Sequence, residues 1–115
     1  MKKNIIFIIL FVVCNLANTQ EKNAVVTTTL SVRGNCGECK ERIENAADIK
    51  GVKVSKWDSK TQVLSITYKP EKVTLDQIKQ AILKCGHDVE NDKAPDAVYS
   101  KLPQCCKFRD RKCEK

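Results

Sequence analysis

Val26-Thr27-Thr28-Thr29-Leu30-Ser31-Val32-Arg33-Gly34-Asn35-Cys36-Gly37-Glu38-Cys39-Lys40-Glu41-Arg42-Ile43 is the stretch on which the fold turns. Its first half alternates, with Val26, Thr28, Leu30 and Val32 on one face, the signature of a half-buried strand. Arg33 to Gly37 reads as a loop whose two glycines let the backbone turn. From Gly37 or Glu38 to about Ala47 the apolar period becomes helical. Cys39, Ile43, Ala46 and Ala47 form one stripe, while Lys40, Glu41, Arg42, Glu44 and Asn45 face water. Two cysteines at C-x-x-C spacing thus sit where a strand hands over to a helix. A thiolate pair there can bind a soft metal ion or exchange electrons as a dithiol.

The pattern continues outward. Gly51 interrupts before a second strand, Val52–Asp58. Asp58-Ser59-Lys60-Thr61 is a polar turn, and Leu64, Ile66 and Tyr68 alternate in a third strand, giving a hairpin. The second helix is the best marked. Thr74 is an N-cap with Gln77 at capping-box spacing, and Val73 and Ile78 occupy the hydrophobic-staple positions. Leu75, Ile78, Ile82 and Cys85 make its buried stripe, and Gly86 its C-terminal cap. His87 to Val89 is a short fourth strand. The order predicts an α+β, ferredoxin-like βαββαβ sandwich: a four-stranded antiparallel sheet with two helices on one face.

This order divides the chain into three. Residues 1–20 read as a cleavable signal peptide: Lys2 and Lys3, then a nine-residue apolar run, Ile5–Val13, too short to span a bilayer stably. Export places the protein in a periplasm-like or extracellular compartment. Membrane contact is expected only if Cys14 is lipidated or the leader stays uncleaved. Residues 24–90 hold the domain. Residues 91–115 form a cysteine-rich tail carrying Cys105, Cys106 and Cys113.

Composition narrows the function. The net charge of +7 becomes +5 once Lys2 and Lys3 leave with the signal. The remaining basic residues are scattered among acids without interleaved aromatics, which gives nucleic acid no stripe to follow. A single histidine, with no Ser/His/Asp set or phosphate-binding glycine loop, argues against hydrolytic chemistry, so no enzyme is expected. Six cysteines outside the leader would suggest a disulfide framework in an exported protein. Residues 40–84, however, contain none, and carry the clearest secondary-structure signals.

A C-x-x-C after the first strand of a βαββαβ pattern resembles the heavy-metal-associated domain. That family includes copper chaperones, amino-terminal modules of copper-exporting P-type ATPases and periplasmic mercury-binding proteins. The resemblance spans about residues 24–90. The family pattern is Gly-Met-x-Cys-x-x-Cys, whereas this chain reads Gly34-Asn35-Cys36-Gly37-Glu38-Cys39, one residue shorter and without the methionine that packs beneath the loop. The resemblance implies a metal site at Cys36 and Cys39. It also implies that the loop after the second helix approaches the site, where His87 becomes a further ligand or an outer partner. A membrane metal transporter or efflux component is the implied donor or acceptor.

Soft thiolates suit Cu(I) first, with Hg(II) and Zn(II) next. The helix N-terminus favours negative charge on the pair, and Arg33 and Lys40 beside it would offset the net −1 of a bis-thiolate Cu(I) complex. The competing function is a thiol-disulfide oxidoreductase using the same pair. Thioredoxin-like folds, however, place the motif after a later strand and face it with a proline, and no proline occurs between Cys39 and Pro70. Cys105 and Cys106 have several readings: a second thiolate site, ligands reaching back to the Cys36/Cys39 loop, or a disulfide with Cys113 or another chain. Tyr99, Leu102 and Phe108 give the tail apolar residues with which to dock. Cys85 reads as a buried small hydrophobe, Trp57 as packing on or at the edge of the sheet, and Glu38 as a solvent-facing residue that favours the helix start.

Overall fold

The computed structural model describes residues 24–109, so the leader, Cys14 and Cys113 lie outside the described residues. The elements are β1 (Val26–Ser31), α1 (Gly37–Ala47), β2 (Val52–Asp58), β3 (Val63–Tyr68), α2 (Leu75–Lys84) and a short α3 (Asp96–Tyr99), followed by a 3-10 turn at Gln104–Cys106. β3 lies between β1 and β2 and is antiparallel to both. Alternation does what the sequence required of it: Leu30, Trp57, Leu64 and Ile66 turn inward from the three strands. They meet Cys39, Ile43 and Ala47 of α1 and Ile78, Ile82 and Leu83 of α2 in one apolar cluster. No described helix is long and apolar enough to cross a membrane.

Among the described residues the sheet has three strands, not the four expected. The segment expected as the fourth is reduced to a single bridge between Val32 and Val89. The Arg33 amide donates to the Asp88 carbonyl at 3.0 Å and the Glu90 amide to the Ser31 carbonyl at 2.8 Å. The ladder stops there because Val89 spends its own amide and carbonyl on Asp92, at 3.0 and 2.9 Å. Glu90, at a φ of 52°, then turns the chain away. The Glu90 carboxylate caps the Ser31 amide instead, at 2.8 Å.

The second helix begins as its sequence dictates. The Gln77 amide donates to Thr74 Oγ1 at 3.1 Å, and the Thr74 amide donates to Gln77 Oε1 at 2.9 Å. Both orphan donors are thereby satisfied. Thr74→Ala is expected to cost about 1 kcal/mol in chemical denaturation; a change below a few tenths would show that packing of Val73 and Ile78 fixes the helix start alone. Gly86 follows the helix at a φ of +104°, and a Cβ there would stand 3.0 Å from Leu102 Cγ. Backbone conformation and close approach both call for glycine at this position.

The tail docks. Ala94, Tyr99, Leu102, Cys106 and Phe108 are buried in the same cluster as the sheet and helices. Phe108 stacks on His87 with ring centroids 5.4 Å apart, and Tyr99 meets the Phe108 ring edge-on at 5.3 Å. Arg109 reaches back to Asp88, with Nη2 2.6 Å from Oδ1, and also donates to the Ala94 carbonyl at 2.9 Å.

Candidate metal centre

Cys36 is the N-cap residue of α1, with extended backbone and no side-chain cap to the helix. It is half-buried, whereas Cys39, one helical turn on, is fully buried. Trp57 packs against this loop. A Cβ on Gly34 would stand 3.0 Å from the Trp57 ring and 3.1 Å from the Cys39 Cβ, so the ring lies directly against the loop. The indole Nε1–H donates to the Val32 carbonyl at 2.9 Å, fixing the ring beneath the strand end. The loop glycines were expected to serve a turn. Neither adopts positive φ. Gly34 is needed for the ring's close approach, and Gly37 has open space where a Cβ would lie. The Gln62 side chain ties the loop to the hairpin, accepting from the Gly34 amide at 3.0 Å and donating to its carbonyl at 2.7 Å.

The 3-10 turn sets the tail cysteines against this loop. The Asn35 amide group donates to the Cys105 carbonyl at 3.2 Å, and the Cys36 thiol points at the same oxygen, 3.7 Å away. The Cys105 thiol donates to Glu38 Oε2 at 2.9 Å. The Cys106 thiol has those of Cys39 and Cys105 as neighbours. The ligand atoms of Glu38, Cys105 and Cys106 all lie within 4.8 Å of one another. Two cysteine pairs about 70 residues apart are thus brought to the same end of the molecule, but Cys36 and Cys39 do not join the close ligand group of Glu38, Cys105 and Cys106. Among the described residues no disulfide joins Cys36, Cys39, Cys85, Cys105 and Cys106 to one another.

The electrostatics hold the two tail thiols in their protonated form. Burial, and then the neighbouring Cys39 thiol, push the Cys106 thiol far above its ordinary range. The hydrogen bond to Glu38 is the main cause that raises Cys105. A metal ion would bind these thiols in competition with those protons. The cations expected to balance the pair are engaged elsewhere. Arg33 lies 3.8 Å from the Asp88 carboxylate and over the Phe108 ring, while Lys40 pairs with Glu44 and donates to the Trp57 carbonyl at 3.2 Å.

His87 is fully buried. Its Nδ1 is 2.8 Å from the Arg33 carbonyl, while Nε2 is buried with no hydrogen-bond partner among the described residues. Burial is the chief cause holding its pKa below the ordinary value, so the ring is neutral at pH 7. It does not join the close cluster of Glu38, Cys105 and Cys106. Cys85, expected to be buried on α2, is half-buried and follows the last helical residue as the C-cap. Glu38 is exposed as expected, but its contact with Cys105 spans 67 residues of sequence, and no local pattern announces it.

These features define a small α+β module with a cysteine pair at the first strand-to-helix junction. Residues 29–88 match the heavy-metal-associated domain, and the chain belongs to that family. The fold is shared with the CopZ metallochaperone: 34% identity over 56% of this chain and 100% of that one, with a TM-score of 0.55. Oxidized MerP from Ralstonia metallidurans CH34 is 25% identical over 58% of this chain and 96% of its own, with a TM-score of 0.55. The N-terminal domain of the zinc(II) ATPase ziaa in its apo form is 29% identical over 58% of this chain and 65% of its own, with a TM-score of 0.51. None of the curated proteins matches the chain.

Proposed function

We propose that this is an exported protein that binds a soft metal ion through Cys36 and Cys39, Cu(I) foremost and Hg(II) or Zn(II) next. It buffers the ion or passes it to a membrane transporter or efflux component. The observation that carries this reading is the placement of the pair. Cys36 lies at the N-cap and Cys39 in the first turn of α1, in a chain of the heavy-metal-associated family, with further thiols packed against them. Thiolates are the ligands that select soft ions, and a helix N-terminus favours their negative charge. The similarity to CopZ, MerP and a zinc(II) ATPase domain supports a metal cargo and a transporter partner. No catalytic residue enters this reading, and no observation among the described residues favours dithiol exchange over metal binding.

The test is an anaerobic titration of the reduced protein with Cu(I) against a chromophoric chelator, repeated with Zn(II) and Hg(II). Wild type is expected to take one equivalent. Cys36→Ser/Cys39→Ser is expected to lose affinity by about a thousandfold or more, roughly 4 kcal/mol. Unchanged binding in the double variant would remove the assignment.

A further inference from the structure

We propose that residues 94–109 form a built-in cap on this site, in which Cys105 and Cys106 supply the second thiol pair that would otherwise come from a transfer partner. The inference rests on the reading of Cys36 and Cys39 as the primary pair and adds how the ion is held and released. A two-cysteine surface loop hands on its ion when an acceptor's thiolates enter its open side. Here that side is occupied. The Cys105 carbonyl takes hydrogen bonds from Asn35 and Cys36, and the Cys106 thiol lies against Cys39 with both residues fully buried.

The cap is anchored at several points. Leu102 fills the space left by Gly86, Phe108 stacks on His87, and Arg109 is bound to Asp88 and to the Ala94 carbonyl. Cys106 is held by the turn from Pro103, whose carbonyl accepts its amide at 2.9 Å. The close ligand group is Glu38, Cys105 and Cys106, so an ion held by Cys36 and Cys39 gathers further sulfurs, an environment suited to a soft ion, when the loop and the tail turn draw together around it. Each thiol that becomes a ligand releases its proton to solvent, with no change of oxidation state. Release then requires the tail turn to move aside, so the capped protein retains its ion and gives it up slowly.

Sulfur-shell X-ray absorption on the reduced, monomeric, Cu(I)-loaded full chain tests this. Three or more sulfurs are expected in wild type and two in Cys105→Ser/Cys106→Ala. The variant should also yield Cu(I) to excess chelator about 10-fold to 100-fold faster, the scale on which auxiliary groups tune metal sites. A count of two in wild type, or an equal count and release rate in the variant, overturns the cap. Because Cys106 is buried, Cys105→Ser alone serves if the double variant does not fold, and the wild-type sulfur count decides the case without any variant. Cys36→Ser/Cys39→Ser separates the two readings. Persistent binding there refutes the primary pair, whereas lost binding with only two sulfurs in wild type refutes the cap alone.

Discussion

Trp57→Ala is expected to lower the stability of the metal-free protein by about 3–5 kcal/mol in chemical denaturation, the largest effect of any single truncation outside the cysteines. The side chain is 2% exposed. It fills the space under Gly34 and Cys39, and its indole satisfies the Val32 carbonyl at 2.9 Å. The main chain adds a further tie, since the Trp57 amide donates to Glu44 Oε2 at 2.8 Å and so joins β2 to α1. Alanine leaves a cavity beneath the cysteine loop and orphans a carbonyl at the end of β1. Trp57→Phe separates the two losses. It keeps most of the ring and is expected to cost about 1–3 kcal/mol, chiefly for the unpaired Val32 oxygen. A cost below about 1 kcal/mol for the alanine variant would show that the loop is held from elsewhere.

That role for Trp57 marks the limit of what the sequence conveys. Its position in an alternating strand was legible, and so was burial against the sheet. What the ring touches was not, because Gly34 stands 23 positions away and no periodicity links them. The strands and helices themselves were legible for a local reason: alternation over Val26–Val32, the stripe of α1 and the Thr74/Gln77 capping box each lie within a few residues. The fourth strand was overread because an apolar Val89 after a helix cap looks the same whether it pairs with β1 or folds back on Asp92. The hydrogen bonds that choose are not written in side-chain type.

The site was legible in part for the same reason. Cys36 and Cys39 announce themselves by spacing. The apolar residues Tyr99, Leu102 and Phe108 showed that the tail had something to bury, and burial is what brings Cys105 and Cys106 back across about 70 residues to the loop. Between a disulfide, a separate site and a return to the loop, composition could not choose. The charges misled for a complementary reason. Arg33 and Lys40 flank the pair in sequence, but a long basic side chain goes to the nearest carboxylate in space, here Asp88 for one and Glu44 for the other.

Asp88→Ala is expected to cost about 3 kcal/mol, because it removes the acceptor around which the tail is fastened. The carboxylate is 3% exposed. Its Oδ1 accepts from the Ala94 amide at 2.8 Å and from Arg109 Nη2 at 2.6 Å, and Arg109 Nε lies 3.3 Å from Oδ2. Alanine leaves the Arg109 guanidinium without its buried partner and a buried amide unpaired, which costs more than the pair contributed. The same carboxylate predicts an acid sensitivity with a definite sign. Burial alone would raise its pKa, but the Arg109 hydrogen bonds, the Ala94 amide and the Arg109 and Arg33 charges outweigh burial and hold it below the ordinary carboxylate value. A group depressed on folding stabilises fully above its unfolded pKa, about 3.9, and loses that contribution as pH falls through the folded value. Wild type should therefore lose stability below about pH 4 more steeply than Asp88→Ala does. Parallel acid profiles for the two proteins would show that the tail is not fastened through Asp88. Loss of docking should also free Arg109 from Tyr99 and Phe108, which it overlies at 4.2 and 5.8 Å. In the variant, proteolysis is then expected to cut the tail near Lys101 or Lys107 before the sheet and helices unfold, releasing Cys105 and Cys106 from the cysteine loop.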